Sequence, residues 1–249
     1  MVAAGCAVSV ATALAAAAAA RVTRWTTAHP YFAVQEVVVE GTSDPATVTA
    51  WSGIEKGASL WSIDPERTVI RLLAHPRIRA ATIRREFPSR VEITVEERRP
   101  RAVLMVETPF FLDDDGAAFP PLLRESLEGL PCVTGLRMRD LTERPAWATQ
   151  RLSQAAKLLS LWRRYSDWPE VSEVHREADG ELVVFPVRSP MTVRFGREVS
   201  EEQFTRLSAV FGQWRGRESE VAGIDLSVPG QAVLRLRHGE FPAGRRVKI

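Results

Sequence analysis

The chain has 249 residues, 45% apolar and 26% charged, with a formal net charge of +2. That composition excludes a disordered or collagen-like chain and suffices for one large or two small domains. Its 33 cations, nearly all arginine, alternate with acidic residues in place of forming a basic block, so no nucleic acid is expected as a partner. Cys6 lies within the apolar leader and Cys132 far downstream, so no intrachain disulfide is expected if the leader stays in a membrane, and the two cysteines do not assign a redox compartment.

Val2 to Ala20 carries no charge and approaches the roughly 20 residues a helix needs to cross a bilayer. Only Val2, Val8, Val10 and Leu14 are strongly apolar, and alanine fills most of the rest. Three readings stay open for residues 1–20: an uncleaved transmembrane signal anchor, a cleavable signal peptide with small residues at Ala15 to Ala20, and an alanine-rich helix outside a membrane. Arg21 and Arg24 follow the run, on the side that the positive-inside rule disfavours for an anchor with its N-terminus inside. Residues 21–31 read as a linker in which Trp25 and Tyr31 suit either a membrane interface or ordinary packing.

Phe32 to Gly41 is rich in β-branched residues, places Val37 and Val39 on one face and stops at glycine, which predicts a strand. Asp44-Pro45 and Asp64-Pro65 each put an N-cap carboxylate before a helix-starting proline. The first helix ends at Gly53; the second, with Val69, Ile70 and Leu73 at helical spacing, ends before Pro76. Arg77 to Glu86 and Ser89 to Glu97 form a hairpin around Phe87-Pro88, with Val91, Ile93 and Val95 alternating with polar residues.

Beyond Pro100, Ala102 to Val106 and Phe110 to Leu112 read as strands, and Asp113-Asp114-Asp115-Gly116 turns the chain into Ala117 to Pro120. The triple aspartate lacks the ligand spacing of a calcium loop, so a turn is expected there and no metal. Leu152, Ala155, Leu159 and Trp162 mark one stripe of a helix from Ala146 to Arg164. Strands follow at Val171 to His175, Leu182 to Phe185 and Met191 to Phe195. Ser200-Glu201-Glu202-Gln203 is a capping box ahead of a second helix bearing Phe204, Leu207 and Val210. Ile224 to Val228, Pro229-Gly230 and Ala232 to Arg237 close the chain with a hairpin.

No catalytic constellation emerges. His29, His75, His175 and His238 are scattered outside any metal spacing, and no nucleophile elbow, phosphate loop or dinucleotide fingerprint occurs. The expectation is therefore no enzyme, no cofactor and no small-molecule substrate. What remains is a strand edge: Ala232 to Arg237, after a tight turn, is either a solvated border guarded by Arg235 and Arg237 or a ladder for another chain's strand.

The order Val37-Val38-Val39-Glu40-Gly41, Leu60-Trp61-Ser62-Ile63-Asp64, His75-Pro76-Arg77-Ile78, Arg84-Arg85-Glu86-Phe87-Pro88 and Val95-Glu96-Glu97-Arg98-Arg99-Pro100 resembles the POTRA domain of the FtsQ/DivIB family of bacterial cell-division proteins. Leu112 to Phe119 and Ile224-Asp225-Leu226 resemble the turn that opens, and the element near the end of, that family's β domain. The resemblance implies an α+β chain: transmembrane anchor 1–20, linker 21–31, POTRA domain 32–100 of β-α-α-β-β order, β domain 101–241 with two flanking helices, and tail 242–249. It implies a divisome scaffold of the inner membrane, its bulk periplasmic at the division septum, that binds FtsB and FtsL and helps control septal peptidoglycan synthesis. Val228, Ala232, Val233, Leu234, Arg235 and Leu236 are the positions carried over as the FtsB dock, although the aromatic anchors of such a strand are absent. Some members also contact FtsK, for which Asp64 to Ala81 is the corresponding surface. The rival readings are a POTRA-bearing module of outer-membrane assembly or secretion, and a periplasmic hydrolase using Asp113 to Asp115.

Overall fold

The computed structural model describes residues 29–121, 126–237 and 246–248. The expected anchor and residues 21–28 of the linker lie outside the described residues, as do most of the expected tail and the end of the β domain. Among the described residues no helix is long and apolar enough to cross a membrane. The chain divides into two compact units at Arg98–Arg99.

In the first unit a short 3-10 turn, Pro30–Phe32, leads into β1 (Glu36–Glu40), α1 (Pro45–Ser52), α2 (Pro65–Leu73), β2 (Ile78–Glu86) and β3 (Arg90–Glu97). The sheet order is β1-β3-β2, with β1 parallel and β2 antiparallel to β3. Both helices start as expected: the Asp44 and Asp64 carboxylates accept from the backbone N–H of Thr47 and Arg67, each at 3.2 Å, satisfying donors that a helix start leaves free. Arg71 of α2 donates to the Ser52 carbonyl at 2.7 Å, capping α1 from its neighbour. The core joins Val48, Leu60, Leu72 and Ile78 to Val91, Ile93 and Val95 of β3. At Gly41, φ is 84° and an added Cβ would lie 1.9 Å from the Val95 carbonyl oxygen, so glycine is required where β1 ends against β3.

The face of α2 differs from the one its apolar spacing suggests. Thr68 and Leu72 are buried while Ile70 and Leu73 are exposed. Thr68 tolerates burial because its hydroxyl donates to the Asp64 carbonyl at 2.8 Å, so its methyl can face the core.

The second unit contains ten strands in the order β13-β12-β11-β10-β9-β8-β7-β4-β5-β6. They are β4 (Ala102–Met105), β5 (Pro109–Leu112), β6 (Ala118–Phe119), β7 (Cys132–Thr134), β8 (Val171–Arg176), β9 (Leu182–Pro186), β10 (Thr192–Gly196), β11 (Val221–Asp225), β12 (Gln231–Leu236) and β13 (Arg246–Lys248). Three neighbouring pairs are parallel, β4 with β7, β7 with β8 and β10 with β11, and parallel neighbours need long crossovers. Helices α3 (Met138–Glu143) and α4 (Pro145–Trp162) make the crossover from β7 to β8; α5 (Glu201–Gln213) makes that from β10 to β11.

One large core lies between the helices and the sheet. Leu152, Ala155, Leu159 and Trp162 of α4 and Phe204, Leu207 and Val210 of α5 meet alternate residues of the strands, among them Val174, Val184, Val193 and Ile224. A small second cluster, Val103, Phe111 and Phe119, is packed by Leu127 and Leu130. Gln203 secures the start of α5: its side-chain oxygen accepts from Ser200 N at 2.9 Å, and its amide donates to the Phe195 and Leu226 carbonyls. One buried amide thus ties the helix to the ends of both strands it connects.

The turn reading of the aspartates agrees with the geometry. Asp113 Oδ1 accepts from the backbone of Asp115 at 3.0 Å and Ala117 at 2.8 Å, while Asp114 pairs with Arg101 at 2.9 Å. The strand expected at Ile224 to Val228 sits three residues earlier, leaving Ser227 and Val228 in the turn.

Candidate functional site

The strand hairpin β11–β12 stands near one border of the long sheet. Ser227 N donates to Asp225 Oδ1 at 2.8 Å and Gln231 N to Val228 O at 3.2 Å, which closes the turn. Gly230 supplies its positive φ of 68°. The ladder then runs antiparallel, Asp225 opposite Val233 and Ile224 opposite Leu234, and a bulge between Val221 and Gly223 precedes the pairing of Val221 with Leu236.

Period-two alternation sorts the six residues expected to bind a partner. Ala232 and Leu234 are buried on the face covered by α5, and Leu236 is half-buried against the same core. Val233 is half-buried, Arg235 is exposed, and Val228 is exposed in the turn. The hairpin therefore brings all six together, but Ala232 and Leu234 offer a partner only their backbone. Beyond them, Arg237 N donates to the Glu220 carbonyl at 2.8 Å and its guanidinium to the Pro190 carbonyl at 2.7 Å, pinning the end of β12.

A neighbour not legible in the sequence stands outside this strand. β13 pairs antiparallel with the first half of β12, Gln231 opposite Lys248, Ala232 opposite Val247 and Val233 opposite Arg246. Leu234, Arg235 and Leu236 have β11 on one side and, among the described residues, no strand on the other. Three residues with a single apolar member give too little periodicity to announce a strand.

Pro190, which anchors Arg237, also lines a cleft of about 580 Å³ with Trp168, Met191, Ser208, Phe211 and Arg215. The Arg215–Asp167 ion pair at 2.9 Å joins two of its lining residues. In the turn between β8 and β9, Glu177, Asp179 and Glu181 come close enough together to hold a cation. Arg194 already occupies that role, donating to Glu177 Oε2 and Glu181 Oε2 at 2.6 Å each, and these bonds hold its pKa above the ordinary arginine value. Burial, reinforced by the Arg151 charge, pushes the Arg176 guanidinium down to about 10. Both arginines remain charged near neutrality; Arg194 is held by its two carboxylates, whereas the buried guanidinium nitrogens of Arg176 have no hydrogen-bond partner among the described residues.

Comparison with known proteins agrees with the two-unit architecture. The model described as the POTRA domain, FtsQ-type, matches residues 32–98, and that of the cell division protein FtsQ/DivIB, C-terminal, matches residues 104–227. The second match stops at Ser227, so β12 lies beyond it. The cell division protein FtsQ of Myxococcus fulvus is 29% identical over 229 residues, covering 89% of this chain and 79% of the relative. That of Syntrophotalea carbinolica is 26% identical over 218 residues, 86% and 77% of the two chains. That of Rhodothermus marinus is 30% identical over 191 residues, 72% and 67%.

Proposed function

The chain belongs to the FtsQ/DivIB family of cell-division proteins, and from that premise we propose that it is a non-catalytic divisome scaffold whose β12 edge receives the periplasmic segment of FtsB, accompanied by FtsL. The scaffold is held in the inner membrane by residues 1–20, keeps its bulk periplasmic at the septum, and helps control septal peptidoglycan synthesis. The observation that carries this reading is the half-covered strand. Among the described residues no strand lies on the outer side of Leu234 to Leu236, and an added strand satisfies the backbone groups of such a border with a ladder. Arg235, exposed beside that border, suits acidic residues on the incoming chain. A partner strand pairing along all of β12 has to displace Arg246–Lys248. Exposed Ile70 and Leu73 support a second contact surface, for FtsK, on α2 of the POTRA domain.

Calorimetric titration of the full-length protein in detergent with the periplasmic segment of FtsB from the same genome tests the dock, run beside Leu234→Pro. Proline removes a ladder donor, so the expected outcome is binding by the parent, none by the variant, and an unchanged POTRA domain by circular dichroism. Equal binding by both removes the edge from the reading. Absence of binding by a folded parent removes FtsB.

A further inference from the structure

Four aromatic rings of the POTRA domain meet on its surface. Tyr31, Trp61 and Phe87 are 60%, 44% and 56% exposed. With Phe32 they nevertheless form one group of edge-to-face and tilted rings: ring centroids lie 5.2 Å apart for Tyr31–Phe32, 5.9 Å for Phe32–Trp61, 6.5 Å for Phe32–Phe87 and 4.9 Å for Trp61–Phe87. None of the four belongs to the domain's core cluster.

Three separate segments supply these rings, and backbone bonds lock the segments together. Val34 N donates to the Ala58 carbonyl and Gly57 N to the Val34 carbonyl, both at 2.8 Å, with a bridge between Ala33 and Ser59. Gln35 N donates to the Ser89 carbonyl at 2.8 Å, which fixes the tip of the β2–β3 hairpin beside the entering chain. The group is thus a built surface, and exposed apolar surfaces of this kind mark contact sites.

Its place in the chain selects the occupant. Tyr31 stands where the chain enters the domain, and residues 21–28 separate the described region from the apolar run Val2 to Ala20. The eleven residue steps from Ala20 to Tyr31 reach at most about 40 Å when fully extended. If the apolar run spans a bilayer, Tyr31 is held within that distance of its surface with Trp61 and Phe87 grouped around Phe32 beside it, and tyrosine and tryptophan favour the headgroup depth.

We propose that Tyr31, Trp61 and Phe87 form an interfacial foot that rests in the headgroup layer of the bilayer from which the chain emerges, setting the tilt of the POTRA domain on the membrane. The inference rests on the membrane-anchored reading above. A foot of three rings on short, hydrogen-bonded loops restricts the pivoting that a linker alone would permit, which orients every partner surface the domain carries.

The test uses the full chain with Cys6→Ser and Cys132→Ser, reconstituted in phosphatidylcholine–phosphatidylglycerol vesicles. A polarity-sensitive fluorophore is attached at Trp61→Cys, at Phe87→Cys or, as control, at Arg79→Cys, eight positions before Phe87 along β2 and so about 25 Å away. Vesicle flotation reads anchoring, and quenching by lipid bearing a nitroxide at the headgroup reads the foot. The expected result is co-flotation of all three variants, with quenching at positions 61 and 87 several-fold above that at 79. Co-flotation with equal quenching at all three positions overturns the foot and leaves the anchor standing. A chain that fails to float removes both. Shielding of positions 61 and 87 without quenching, growing with the protein-to-lipid ratio, assigns the rings to a second copy and overturns the lipid contact.

Discussion

The POTRA domain carries a cluster of rings on the outside, whereas the β domain keeps a larger ring cluster inside: Trp162, Trp168, Phe195, Phe204 and Phe211 meet, mostly edge to face, with centroids 5.0 to 6.4 Å apart beneath α4 and α5. Phe195 and Phe204 are fully buried there, and Trp162 satisfies its indole N–H by donating to the Pro169 carbonyl at 2.8 Å. Ring clustering therefore does not by itself mark a core. Layer geometry decides where rings end up. Two helices of 18 and 13 residues roof a long sheet, while two helices of 8 and 9 residues cover a three-stranded one and leave its hairpin tip bare.

Substitutions of like size in the two clusters would break or sharpen that contrast. Phe204→Ala empties a fully enclosed site, and the expected cost is about 3–5 kcal/mol, read as a lowered urea midpoint for the β domain by circular dichroism. Phe87→Ala removes a ring that water already reaches, so about 1 kcal/mol is expected in the POTRA transition. Equal losses for the two variants would show that the surface rings serve as core, and the contrast would fail.

The smallest effect is expected from His75, which stacks on Trp51 with ring centroids 3.4 Å apart. Burial pushes the imidazole below its ordinary 6.5, and the charge of Arg77 adds to this, so the folded domain binds the proton less readily than the unfolded chain. The stability tied to this group is complete above pH 6.5 and declines as the pH falls from there through the lowered folded value. His75→Gln should flatten that shallow decline in the POTRA transition between neutral and mildly acid pH. An unchanged slope would assign the acid sensitivity to other groups.

Much of this architecture was legible from local chemistry. Asp44-Pro45 and Asp64-Pro65 marked both helix starts because an N-cap carboxylate and a proline at the first turn act within four residues. Ser200 to Gln203 did so again for α5, and the stripe of Leu152, Ala155, Leu159 and Trp162 matched the buried face of α4. Less legible were short elements whose partners are distant. β7 is three residues long and exists because Val103–Leu104 on one side and Glu173–His175 on the other complete its ladders. The short helix α3 and the strand β13 escaped because six and three residues carry too little periodicity to announce an element.

The candidate site divides along the same line. Residue types along the chain were enough to indicate the family, the two-domain order and a hairpin over Ile224 to Arg237, because caps, turns and period-two alternation are written in near neighbours. Only the folded structure decided that α5 would bury Ala232 and Leu234, that β13 would pair with Gln231 to Val233, and that Tyr31, Trp61 and Phe87 would meet on one surface. Those outcomes depend on which segments far apart in sequence become neighbours. A strand's alternation states that it has two faces and two edges, but what covers each is settled by the elements that pack beside it.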